Sequence, residues 1–144
     1  MNRVAAELLR CLNQLKMSQR KSPPTGDLHA NEAELLLFLK HSEKPKQTIS
    51  ELSRAFGVTN SSITQQVNRL ETLGCVHKET DENDRRRIFV GLTLKGAGIV
   101  MKIDRNCQNR AEQLVQFLGE SDANELVRLL ARVAEYYKAE QNAN

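Results

Sequence analysis

The sequence predicts a mainly α-helical chain that carries one small β hairpin. Two observations point that way. Apolar residues recur at three- and four-residue spacing through most of the 144 residues, the signature of helices with one buried face. Residues 87–92 switch instead to two-residue alternation, with Ile88, Val90 and Leu92 on one side, just after the turn-forming cluster Asp81-Glu82-Asn83-Asp84.

Residues 1–17 form an amphipathic helix, with Val4, Leu8, Leu12 and Leu15 on one side and Cys11 close to them. Residues 18–27 hold Pro23, Pro24 and Gly26 among polar neighbours and read as a connector. A second helix spans about 31–40, with Asn31 and Glu34 as a variant capping box. Its run 35–39 is apolar nearly all round, so this helix is expected at the centre of the core. Residues 41–47, with Pro45 among charges, read as a loop.

Residues 48–96 carry the most information. Thr48 and Glu51 make a capping box, and Ile49, Leu52 and Phe56 share one helix face. Gly57 supplies the left-handed conformation that stops the helix, and Val58 is expected to plug the corner. Thr59 caps the next helix, where Ile63, Val67, Leu70 and Leu73 form an apolar stripe before Gly74 ends it. Strands at 75–80 and 87–92 flank the turn, and Thr93 caps a new helix. Two short helices, a tight turn, a two-stranded wing and a helix start make a winged helix-turn-helix, whose second helix fits the major groove of DNA.

After the wing, Ala97, Val100, Ile103, Cys107, Ala111, Leu114 and Leu118 keep helical spacing. They imply a helix of roughly 25 residues, about 37 Å long at 1.5 Å per residue. Gly119 ends it, and Ser121-Asp122 opens a last helix through Leu126, Leu130, Val133 and Tyr137. One small winged domain cannot bury all these stripes. Pairing with a second copy about a two-fold axis is expected, through Val4, Leu8, Leu12, Leu114, Leu118, Leu126 and Leu130. The expected organisation is a dimerising helix and connector at 1–27, the winged domain at 28–96 and dimerising helices at 97–144.

The solvent face of the second short helix is unusual. Asn60, Ser61, Ser62, Thr64, Gln65, Gln66, Asn68 and Arg69 are nearly all short or amide side chains, mediocre helix formers that can donate and accept hydrogen bonds. A solvated face is the plain alternative, but beside a wing this composition suits base edges and phosphates. Ser62, Gln65 and Arg69 are expected to point furthest outward, with Arg69 holding phosphate. Arg85, Arg86 and Arg87 follow the turn, where an arginine can enter the narrow minor groove of A·T-rich DNA.

At these residues the chain resembles the MarR (multiple antibiotic resistance regulator) family, whose pattern runs R-L-E-x-x-G and then D-x-R-x-x-x-V-x-L-T-x-x-G. Arg69, Leu70, Glu71 and Gly74 match the first part; Asp84, Arg86, Val90, Leu92, Thr93 and Gly96 match the second. The specific motifs lie between about residues 50 and 96, while the layout resembles the family over most of the chain. The resemblance implies a dimeric bacterial transcription regulator, a repressor released by a small-molecule effector, with Arg86 at the wing tip and Asp84 orienting the wing. His29 and Glu32 depart from the family's usual Thr and Gln, and neither position is expected to touch DNA recognition.

Composition narrows the remaining classes. The net charge of +3 is mild, so phosphate affinity must come from local placement. No 18-residue apolar run exists to span a membrane. Glu7 and Arg10 interrupt any signal-peptide pattern, and three cysteines without metal spacing suit reduced thiols, so a bacterial cytoplasm is expected. His29, His41 and His77 are scattered, no phosphate loop is present, and no catalytic site, cofactor or metal is expected. Two other readings remain: a winged helix used to bind protein, and a thiol redox sensor at Cys11. Against the sensor, Tyr136 and Tyr137 are far from Cys11 in sequence. Cys75 and Cys107 fall at core-like positions.

Overall fold

The computed structural model describes residues 2–19 and 26–143; the proline-bearing part of the connector lies outside them. In order the elements are α1 (Arg3–Gln19), α2 (Ala30–His41), β1 (Lys46–Thr48), α3 (Ile49–Phe56), α4 (Asn60–Thr72), β2 (Val76–Thr80), β3 (Ile88–Leu92), α5 (Leu94–Leu118) and α6 (Glu120–Ala143). The chain divides into two compact units, Met1–Ile103 and Asp104–Asn144, and α5 begins in the first and ends in the second.

The core of the first unit is aliphatic. Leu35, Leu36 and Leu39 of α2 meet Leu52 of α3, Ile63, Val67 and Leu70 of α4, Val90 of β3 and Val100 of α5. The central position expected for α2 is therefore observed. Phe38 and Phe56 close one flank edge to face, with ring centroids 5.4 Å apart.

Local signals place the helix ends. The Glu51 N–H donates to Thr48 Oγ1 at 3.1 Å, and Glu51 Oε2 accepts from the Thr48 N–H at 3.0 Å. These contacts, the Thr48 backbone amide first and then Lys44, hold the Glu51 carboxyl below the usual carboxylate range. Gly57 takes φ +63°, where a side chain would be strained. Thr93 does two jobs: its hydroxyl donates to the Gly74 carbonyl at 2.6 Å and accepts from the Gly96 N–H at 3.0 Å. Gly96 must lack a side chain, because a Cβ there would sit 2.0 Å from the Cys75 carbonyl oxygen. The first turn of α5 is thereby locked onto the root of the wing.

Several expectations need correction. The loop expected at 41–47 ends in a strand: Lys46 and Gln47 belong to β1, which pairs antiparallel with β3 and gives a three-stranded sheet in the order β1-β3-β2. The cap of α2 is His29, whose N–H donates to Glu32 Oε2 at 3.0 Å, whereas Glu34 is exposed. Val58 is 39% exposed and does not plug the corner. That corner is held by polar groups instead, the Val58 N–H donating to the Ser53 carbonyl and the Ser53 hydroxyl to the Val58 carbonyl. Cys75 is buried, and burial pushes its thiol pKa up, but Cys107 is exposed and not a core filler.

Candidate nucleic-acid interface

The helix α4 presents Asn60, Ser61, Thr64, Gln65 and Asn68 to solvent. Ser62, Gln66 and Arg69 are only partly exposed, so the outermost line is not the one expected from helical direction. The reason is packing: Ile63, Val67 and Leu70 face the core and turn the Ser62–Gln66–Arg69 side towards the domain.

The polar side chains on α4 differ in how far they are already engaged. Thr64 donates to the Asn60 carbonyl at 2.8 Å, and Gln66 to Ser62 Oγ at 3.5 Å. Asn68 Oδ1 accepts from Lys78 Nζ of β2 at 2.7 Å, and that lysine also pairs with Glu71 at 3.4 Å. Among the described residues, Ser61 and Gln65 have no side-chain hydrogen bond within the chain. Arg69 is committed elsewhere: its guanidinium pairs with Glu32 and donates to the Asp27 carbonyl at 2.9 Å. The phosphate contact expected of it therefore competes with internal partners, and Glu32 reaches the recognition helix after all.

The wing turn is organised by its acidic residues. Asp81 Oδ1 accepts from the Asn83 N–H at 2.9 Å, and Asp84 Oδ1 from the Arg86 N–H at 3.0 Å. The Asp81 N–H donates to the Arg87 carbonyl and the Arg87 N–H to the Asp84 carbonyl, both at 2.9 Å. The three arginines then separate by role. Arg87 pairs with Asp81 at 3.7 Å and lies over the Phe89 ring at 5.5 Å from its centroid. Arg85 and Arg86 are exposed and, among the described residues, have no side-chain partner. Lower on the wing, Lys46 pairs with Glu79, holding that carboxyl below its usual range.

The other expected site residues lie apart from this surface. Val4, Leu8 and Leu12 of α1 are exposed, as are Leu114 of α5 and Leu126 and Leu130 of α6, with Leu118 partly so. Cys11 is exposed on α1. Among the described residues no cluster of His, Cys, Asp and Glu could hold a metal ion, and no helix is long and apolar enough to cross a membrane. Sequence reading missed the Glu32–Arg69 pair. The only available signal was an acidic residue at a position where the motif elsewhere favours an amide.

Comparison with known proteins agrees with this geometry. Residues 27–87 match the model of the MarR family. The chain is 28% identical over 111 residues to the HTH-type transcriptional regulator PecS of Dickeya dadantii (strain 3937). That match covers 76% of this chain and 66% of PecS, so it spans just under two thirds of that relative's length. A mutant MarR from E. coli superposes with TM-score 0.71 at 26% identity, covering 90% of this chain and 95% of that one. FabT of Streptococcus pneumoniae, solved in complex with DNA, superposes with TM-score 0.73 at 22% identity, covering 95% and 96%, which speaks to the fold alone. A second relative, 28% identical over 92 residues, is a putative transcriptional regulatory protein for the hcr operon of Thauera aromatica, of which the match covers 55%. The family model covers less than half of the chain, so what these matches show is that the winged part resembles the MarR family in sequence and that the chain resembles solved MarR structures in fold.

Proposed function

We propose that this chain is a homodimeric, sequence-specific regulator of bacterial transcription that binds double-stranded DNA. One observation carries the reading. Among the described residues, Asn60, Ser61 and Gln65 on α4 and Arg85 and Arg86 on the wing are exposed polar side chains without a partner in the chain, whereas Thr64, Asn68, Arg69 and Arg87 beside them are engaged. Gln65 and Ser61 would address base edges in the major groove, with Asn60, Ser62, Thr64 and Asn68 beside them at bases or backbone. Arg86 would enter the minor groove, with Arg85 close by on phosphate. Asp84 would act indirectly, by shaping the turn.

The apolar faces of α1, α5 and α6 support a second copy as partner. Two copies about a two-fold axis would set their recognition helices in successive major grooves of a pseudopalindrome. Repression, and release by a small ligand, follow from the family resemblance. A groove of about 430 Å³ lined by Leu39, Lys40, Pro45, Leu92, Leu94 and Ala97 is one seat for such a ligand. A regulator of this kind would work in the bacterial cytoplasm.

Selection of bound duplexes from a random-sequence library by the purified protein tests the reading. Recovery of a two-fold symmetric motif is expected. Recovery of unrelated sequences, or of none, would contradict it.

A further inference from the structure

Glu32 sits in the first turn of α2 and is only 2% exposed. A carboxylate so far from water must be paired and hydrogen-bonded to remain ionised. Its Oε2 accepts from the His29 N–H at 3.0 Å and from the Arg69 guanidinium, which comes from α4 37 residues along the chain. The other terminal nitrogen of Arg69 donates to the Asp27 carbonyl at 2.9 Å. One planar, rigid group on the recognition helix is thus gripped at two points by the backbone segment that enters α2.

The rest of the seat of α4 is mainly apolar, through Ile63, Val67 and Leu70. Apolar packing sets which side of α4 faces the core, but its individual contacts are weak and non-directional, so it restrains the rotation of the helix about its own axis less sharply than a hydrogen-bonded ion pair does. The Lys78–Asn68 bond adds a polar tie, but an exposed one on a flexible stem. A rotation of about 20° moves a side-chain tip at the roughly 5–6 Å radius of a helix by about 2 Å. A hydrogen bond to a base edge tolerates only about half an ångström. A directional restraint on α4 is therefore worth far more to base recognition than to folding.

We infer that Glu32 is a positioning residue for base recognition, acting through Arg69 to fix the rotation of α4. The inference rests on the DNA-binding reading above. Its function differs from that of a phosphate contact: it sets which bases are preferred and leaves the general attraction to DNA intact.

The test uses the full-length protein and two probes, the duplex recovered by the wild type in the selection and a shuffled duplex of equal composition. Glu32→Gln keeps the side chain's size and an oxygen for the His29 N–H but removes the charge that holds Arg69. Gel-shift titrations at one salt concentration should show it losing about tenfold affinity for the recovered duplex and less than roughly threefold for the shuffled one. Adding Glu32→Gln to Arg69→Gln should cost no further discrimination, because the effect runs through that guanidinium. Arg69→Lys, which keeps the charge but not the two-point grip, should lose discrimination while remaining folded, and carries the comparison if Glu32→Gln does not fold. Undiminished discrimination in Glu32→Gln or Arg69→Lys, proportional losses on both duplexes, or losses that multiply in the double variant would overturn the inference. A wild-type protein that recovers no motif would overturn the DNA-binding reading and this inference with it. A discriminating wild type beside an equally discriminating Glu32→Gln would overturn the inference alone.

Discussion

Helices α1 and α2 are both rich in leucine, yet they live in opposite surroundings. Leu35, Leu36 and Leu39 of α2 are buried by α3, α4 and the sheet, whereas Val4, Leu8, Leu9, Leu12 and Leu15 of α1 are 52–72% exposed. In α6 no residue is buried, although Leu126, Leu130 and Val133 recur at helical spacing. An apolar pattern states that a face needs covering, but not whether the cover comes from the same chain. The winged domain closes its own core. The terminal helices hold faces whose burial would add about 1.5–3 kcal/mol per large side chain, and a second copy is the partner proposed to recover it.

The largest expected effect comes from removing one side of this contrast. Deleting residues 1–17 should convert the protein to monomer or aggregate and weaken binding to the selected duplex by about a hundredfold or more, since a lone winged domain loses the gain of two linked contacts. Light scattering that finds a soluble, intact dimer would remove α1 from the interface.

Two leucines sharpen the same contrast. Leu52→Ala, in the core, should cost about 2–5 kcal/mol in urea unfolding. Leu12→Ala, on the exposed face of α1, should leave the unfolding of the winged domain unmoved and instead raise the dimer dissociation constant about tenfold. Equal effects of both variants on unfolding would mean that α1 has a place in the core.

Within the wing, the comparison is between a free arginine and a braced one. Arg86→Ala should lose about 1–3 kcal/mol of DNA binding in gel shifts with no change in melting temperature. Arg87→Ala should lower the melting temperature slightly as well, because it removes the Asp81 pair and the cover over Phe89. Wild-type affinity in Arg86→Ala would end the minor-groove assignment.

The smallest effect concerns acid. The Glu51 carboxyl is held below its usual range when folded, so its contribution is complete above the unfolded value and is lost as pH falls through the folded one. Glu51→Gln should therefore remove about 1 kcal/mol at neutral pH and flatten the acid limb of the stability curve. A parallel acid limb in the variant, measured by urea unfolding across pH, would show that the cap is not the source.

What the sequence disclosed follows from how local each signal is. The Thr48–Glu51 box, Gly57 and the Thr93 cap act within a few residues, and each helix start or stop they mark was legible. β1 was not, because Lys46, Gln47 and Thr48 carry no alternation and their partners Gly91, Val90 and Phe89 lie more than forty residues on. The motif of α4 and the wing marked a candidate surface, but not which of its side chains are already engaged. Asn68 with Lys78, Arg69 with Glu32 and Arg87 with Asp81 are contacts between elements, and no spacing rule announces them.

The central claim is that a self-sufficient winged domain works as one of a pair. Sedimentation of the protein with the duplex recovered from selection measures this directly. Two chains per duplex are predicted, on a site whose half-sites lie about one helical turn apart, roughly 10 base pairs centre to centre. One chain per duplex, on an asymmetric site, would contradict it.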